Sequence, residues 1–244
     1  MRCLISTIVR NREDHLQPWA NQLKRLVQAN PEITFDLSVF ENDSTDKTKE
    51  KLVELEPALQ AVFDKCLITS QDLGWPYFGS IKAKDRVSYL ASARNTTLNQ
   101  IEQFINLNNY KKIICVEPDI IYDPVDISEL LHTNDDIASG YSVLPYGMGV
   151  PDWIYDSWAT RVKADDSEYF GPKISELPFR LPVAATFNCF CVYNAEPFAK
   201  GLGFSFINPY TRQWDCDTTN ICFEFARSGY GNIAMYKIPV LHKP

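Results

Sequence analysis

"CLISTIVRNREDHLQPWANQLKRLVQANPEITFDLSVFEN", residues 3–42, decides the architecture. Its opening "CLISTIVRN" (3–11) reads as a strand, and the segment after it places Leu16, Trp19, Ala20, Leu23, Leu26 and Val27 at helical spacing. "ITFDLSVFE" then alternates with the period of two that belongs to a strand. Downstream, "NDST" supplies turn and cap chemistry, residues 46–60 read as a helix, and "AVFDKCLIT" (61–69) as a third strand. A β-α-β-α-β order predicts a parallel, doubly wound sheet, because parallel neighbours need a crossover and helices serve as crossovers.

Further along, residues 70–85 read as a loop, 86–106 as a long helix, and "ICVEPDIIYDP" (114–124) as a strand ending in two carboxylates. A short helix over 126–133, a strand near 137–144, an aromatic, turn-rich stretch after Pro145 and a second block of strands from about Leu181 complete the pattern. If residues 183–193 are extended, Cys189 and Cys191 share a face of their strand. "QWDCDTTNICFEFARSG" predicts a helix opening near Thr218, with Asp217 at its N-cap, and closing before Gly229. The expected fold is α/β: a mostly parallel sheet flanked by helices in a single domain, 1–244. Its first half, 1–124, is of nucleotide-binding type, and 125–244 forms the acceptor side.

The chain has 244 residues, 45% hydrophobic content and a formal net charge of −7, enough for one sizeable core and the wrong sign for a nucleic-acid footprint, which needs clustered Lys and Arg. No run approaches the roughly 20 apolar residues that span a bilayer. Seven cysteines without framework spacing suit a reducing compartment. These features predict a cytoplasmic protein without a transmembrane segment. The sequence contains no G-x-G-x-x-G after the first strand, no phosphate loop ending G-K-[ST], no H-E-x-x-H and no G-x-S-x-G.

In an open parallel sheet, ligands bind beyond the carboxyl ends of the strands. Three features fall there: Arg10-Asn11 after the first strand, Glu41-Asn42-Asp43 after the second, and Glu117-Pro118-Asp119 after the fourth. Two acids two residues apart leave an extended segment on one side and repel, unless a hard cation such as Mg²⁺ or Mn²⁺ joins them; solvated loop acids are the plainer reading. Arg94 falls within the apolar stripe of the long helix and needs a partner, either a carboxylate or a ligand diphosphate, with Asn95 beside it. Asp215 and Asp217 precede a helix, where an acid either caps or acts on an incoming hydroxyl. His242, after the apolar "IPVL", can complete a metal site or serve structurally.

"VRN", "FENDSTDKT", "YLASARN" and "VEPD" occur in an order that resembles the GT-A glycosyltransferases. The wording is most similar to the fungal capsule-associated α-1,3-mannosyltransferase-like family, to which "YDSWATR" (155–161) also corresponds. The resemblance runs from about residue 3 to 242, with E-x-D in place of the common D-x-D. It implies hexosyl or pentosyl transfer from a nucleotide-sugar donor, GDP- or UDP-linked, to a glycan or other hydroxyl acceptor, assisted by Mn²⁺ or Mg²⁺. Glu117, Asp119 and His242 would hold the metal; Arg10, Glu41, Asp43, Arg86, Arg94 and Asn95 would bind the donor. Asp217 or Asp215 would serve as base in an inverting enzyme, and Trp153, Tyr155 and Trp158 would form an acceptor platform. A nucleotide-sugar-binding module without turnover and a sugar nucleotidyltransferase are the alternatives.

Overall fold

The computed structural model describes residues 1–243. The chain runs β1 (Arg2–Val9), α1 (Leu16–Ala29), β2 (Thr34–Asn42), α2 (Thr48–Gln60), β3 (Cys66–Gln71), α3 (Lys84–Glu102), β4 (Lys112–Val116), β5 (Ile120–Tyr122), α4 (Pro124–Ser128), β6 (Ile137–Val143), β7 (Arg180–Pro182), β8 (Phe190–Asn194), α5 (Glu196–Ala199), α6 (Asp217–Arg227) and β9 (Ile233–His242). All nine strands join one sheet in the order β3-β2-β1-β4-β8-β6-β9-β5, with β7 also paired to β9. Pairing is parallel through β3-β2-β1-β4 and again between β6 and β9. Antiparallel β8 lies between these blocks.

The central strands are near-continuously apolar because helices cover both faces. Side chains alternate faithfully: Cys3, Ile5, Ile114 and Val116 pack with Trp19, Leu23 and Leu26 of α1 and Leu52 and Leu55 of α2. On the other face, Leu4, Ile113 and Cys115 pack with Ala91, Leu98 and Ile101 of α3 and Ile221, Phe223 and Phe225 of α6. One continuous sheet between two helical layers makes this a single α/β domain.

Several expectations shift. The third strand begins at Cys66 rather than residue 61, because residues 61–65 turn and bury Phe63 against the first core layer. Helix α3 stops at Glu102, and Asn106, whose side chain accepts the Asn108 N–H, opens a single 3₁₀ turn instead. Cys189 and Cys191 do not share a face. Asn188 (φ 51°) and Cys189 (φ 62°) adopt the left-handed conformation, so Cys189 joins the first core layer and Cys191 the second. Helix α6 begins at Asp217, whose side chain caps nothing; Cys216 occupies the cap position.

The parallel β6–β9 pair changes register between Ser139 and Tyr141, where Gly140 alone of β6 faces Tyr236, Lys237 and Ile238 of β9. Gly140 marks the spot: a Cβ there would meet the Ile238 carbonyl oxygen at 2.5 Å. The bulge lets β9 run on to pair with β5, Ile120 opposite His242.

Candidate active site

The parallel strands β1, β2, β3, β4, β6 and β9 all end on one rim of the sheet. The chain leaves β1 outward to β2 and β3, then returns to β4 on the other side of β1. The crevice at this reversal is where open α/β sheets bind ligands, and a cleft of about 200 Å³ opens there.

After β1 the backbone turns through Asn11 (φ 51°). The Asn11 N–H donates to Ser44 Oγ at 2.9 Å, its Oδ1 accepts from the Thr45 N–H at 2.8 Å, and the Arg12 N–H donates to Thr48 Oγ1 at 2.7 Å. This turn delivers the Arg12 side chain to the cleft. From the next strand, Glu117-Pro118-Asp119 forms the turn between β4 and β5. Arg12 Nε donates to Asp119 Oδ2 at 2.9 Å, and His242 Nε2 lies 3.4 Å from the same oxygen. The His242 ring stacks on Tyr155 at 4.2 Å.

Asp119 and His242 are 2% and 6% exposed. Asp119 Oδ1 and His242 Nδ1 are buried with no hydrogen-bond partner, an arrangement that native interiors avoid unless something else engages the atoms. Glu117, Cys189 and His242 bring donor atoms within 4.8 Å of one another. Burial first, then the charge of Glu117, pushes the Cys189 thiol well above its ordinary range, so it stays protonated and is a poor ligand for a hard cation. The carboxylates of Glu117 and Asp119 and the imidazole of His242, the last two each with an orphaned buried atom, fit a divalent ion.

The charges around this point are interdependent. Burial, and then repulsion from Asp119, pushes the Glu117 carboxyl up; Arg94 and His242 oppose the rise. Burial also works against an ionised Asp119, but the hydrogen bond from His242 and the Arg12 charge outweigh it and hold this carboxyl below its usual range. The His242 imidazole is raised in turn, burial opposing and Asp119 prevailing.

Arg94 is 5% exposed and does not reach the cleft. Its Nε donates to Asp217 Oδ2 at 3.0 Å and an Nη to Glu117 Oε1 at 3.4 Å, with the guanidinium 4.5 Å from the Phe187 ring centroid. Arg94 thus has carboxylate partners, Asp217 and Glu117, and is not itself part of the cleft lining. Asp217 is buried in this pair. Asp215 is held by Arg161 at 2.7 Å and by Asn208, and it accepts the Cys216 N–H. Neither acid lines the cleft.

The other residues expected at the donor make contacts within the fold, and of these Arg10 also lines the cleft. Glu41 is fully buried, accepting from the Ser44 N–H and the Ser70 hydroxyl. Asn95 clamps the Phe204 backbone through both its N–H and C=O. Asp43 accepts from the N–H groups of Leu73, Gly74 and Trp75, and Arg10 donates to the carbonyls of Trp75 and Pro76. Together Asp43 and Arg10 fasten the loop 72–83 over the cleft, with Trp75 stacked on Tyr89 at 4.6 Å and 10°. Arg86 lines the cleft and donates its Nε to the Gly79 carbonyl.

The aromatic platform divides. Tyr155 lines the cleft, but Trp153 packs edge-on to Tyr169 in the second core layer, and Trp158 meets Trp214 edge-on. Residues 151–159 are turns rather than a regular element, so no periodicity aligns the three rings.

Two residues at the rim escaped the sequence reading. Arg12 lies one position beyond the quoted "VRN". Asp156, within "YDSWATR", accepts the Asn188 N–H at 3.0 Å, and burial together with Glu117 pushes its carboxyl up to about 7. Its sequence signal is the motif itself, in which it lies between two aromatic positions, Tyr155 and Trp158.

A mixed sheet with a ligand cleft at the β1/β4 reversal and E-x-D beside it is the GT-A glycosyltransferase fold. Solved structures of similar fold include GalNAc-T7 with UDP, GalNAc and Mn²⁺ (TM-score 0.60, 13% identity, 100% of this chain and 44% of that one). Others are Staphylococcus aureus TarS 1–349 with UDP-GlcNAc (0.56, 12%, 100% and 59%) and the mannosyltransferase PcManGT of Pyrobaculum calidifontis with GDP-Man and Mn²⁺ (0.55, 11%, 98% and 57%). The chain thus spans about half the length of these proteins. The family described as Cryptococcal mannosyltransferase 1 matches residues 2–224, and the chain belongs to it. No curated protein matches the sequence. No helix among the described residues is long and apolar enough to cross a membrane.

Proposed function

We propose that this protein transfers a hexosyl group from a GDP- or UDP-linked sugar to a hydroxyl acceptor, with Mn²⁺ or Mg²⁺ held by Glu117, Asp119 and His242. The observation that carries the reading is the convergence of these three side chains on the cleft at the β1/β4 reversal, with Asp119 Oδ1 and His242 Nδ1 left unpartnered. The family match and the nucleotide-sugar complexes of similar fold support it.

A bound ion supplies positive charge opposite a departing nucleoside diphosphate. The remaining tasks fall to the chain. Arg86 offers the two Nη groups that its loop contact does not use, a fork suited to diphosphate oxygens. The Trp75–Tyr89 pair presents flat apolar surface beside them, and Tyr155 fixes the His242 ring. Arg94 positions Glu117 from behind, and Arg161 holds Asp215. Asp215 and Asp217 therefore act as positioning residues at the start of α6. On this reading, residues 1–124 serve the donor and 125–244 the acceptor, with the chain working in the cytoplasm.

The test is donor hydrolysis, in the presence of Mn²⁺, across UDP- and GDP-linked sugars, together with thermal shift. One nucleotide with Mn²⁺ is expected to raise the melting temperature, since a ligand bound only by the folded state stabilises it. Asp119→Ala is expected to lower turnover by at least about 100-fold while the protein stays folded. Unchanged turnover in that variant refutes the assignment.

A further inference from the structure

Asp119 has two suitors. Its Oδ2 accepts from Arg12 Nε at 2.9 Å, whereas its Oδ1 is buried and unpartnered. The group whose donor atoms lie within 4.8 Å of one another comprises Glu117, Cys189 and His242, with Asp119 outside it. Arg12 is only partly buried, lines the cleft, donates an N–H to the Asn11 carbonyl at 3.0 Å and interacts with the Tyr77 side chain. The backbone beneath it is fixed by Thr48 and Ser44, so its freedom is that of the side chain.

A guanidinium on Oδ2 and a divalent ion on Oδ1 repel one another across a single carboxylate, so each weakens the other's hold on Asp119. We propose that Arg12 is a coupling residue: Arg12 and a divalent cation are alternative partners of Asp119, and a diphosphate in the cleft takes up the guanidinium that the ion displaces. Donor and ion then bind as a pair, each promoting the other through a single side chain as well as through any direct contact. Arg12 is a planar, bidentate phosphate partner, and its reach from a rigid turn allows the exchange without backbone motion. This inference rests on the metal-assisted reading above.

The experiment measures Mn²⁺ affinity by calorimetry, without nucleotide, for the wild type, Arg12→Gln and Arg12→Lys. Arg12→Gln is expected to bind Mn²⁺ about tenfold tighter than wild type, because the competing charge is gone. Arg12→Lys keeps the charge and is expected to bind no more than about threefold tighter than wild type. In parallel, UDP and GDP affinities without metal are expected to fall about tenfold in Arg12→Gln. Equal or weaker Mn²⁺ binding by Arg12→Gln, or no Mn²⁺ binding by either protein, overturns the proposal. A protein that binds Mn²⁺ as expected but neither nucleotide refutes the glycosyltransferase reading, and the Mn²⁺ comparison still reports on Arg12.

If Arg12→Gln does not fold, the wild-type Arg12 Nε–H resonance, assigned by its loss in Arg12→Lys, supplies the answer. It is expected to shift on adding Mg²⁺, and an unmoved resonance under saturating Mg²⁺ overturns the exchange.

Discussion

Arg94 shows how a buried charge is made tolerable. At 5% exposure it is satisfied by Asp217, Glu117 and the faces of Phe187 and Phe204, and these carboxylates keep it charged although burial disfavours the ion. Removing it strands two acids. Arg94→Met is expected to lower unfolding stability by about 3–5 kcal/mol, measured by urea denaturation. In a cycle with Asp217→Asn, the two changes are expected to cost less together than the sum of their separate effects. Asp156 behaves oppositely. Its carboxyl, raised from 3.8 to about 7, binds more protons in the folded state than in the unfolded one. Stability is therefore lost as pH rises from about 4 to 7 and stays reduced above that, by at most about 4 kcal/mol. Asp156→Asn keeps an oxygen for the Asn188 N–H and is expected to raise the melting temperature at pH 8 while changing it little at pH 4, in a scan of both proteins over that range.

At the scale of elements, the loop 72–83 has no regular structure and depends on polar fasteners. Asp43 accepts three of its N–H groups; burial works to raise the Asp43 carboxyl, but the bond from Asn42 and these three N–H groups together outweigh it and hold the carboxyl below its ordinary range. Asp43→Ala is expected to raise amide exchange at Leu73, Gly74 and Trp75 at least tenfold, with the sheet unaffected; unchanged protection would place the loop's stability in Trp75 stacking instead. Helix and strand identities through α3 followed from periodicity, since α1 and β2 bury single faces or alternate. The carboxylates at 117 and 119 and the histidine at 242 were legible because strand ends have a fixed address in a parallel sheet. What stayed hidden depends on contacts between segments distant in sequence. Nothing near Arg94 reveals that Asp217, more than a hundred residues away, will neutralise it. Two left-handed residues before β8 defeat the alternation that predicted a shared face for Cys189 and Cys191.

For the whole molecule, two core layers on one sheet leave the thiols almost inaccessible. All seven cysteines are free; Cys66 alone is not buried, and burial with the nearby Glu56 pushes its thiol up to about 12. A thiol reagent is therefore expected to modify the native protein slowly and at Cys66 only, and all seven positions after denaturation, as counted by mass spectrometry. Fast labelling of a second cysteine in the native state would show that a core layer opens.

On the proposed function, the single sheet also bears on how a ligand would enter the cleft and leave it. Strands of the first and second halves of the chain are hydrogen-bonded into one continuous ladder, β4 to β8 to β6 to β9, so no seam exists about which two lobes can swing. Entry and exit are left to surface segments such as 72–83. Small-angle scattering should consequently give the same radius with and without nucleotide, even where local probes on that segment report large change.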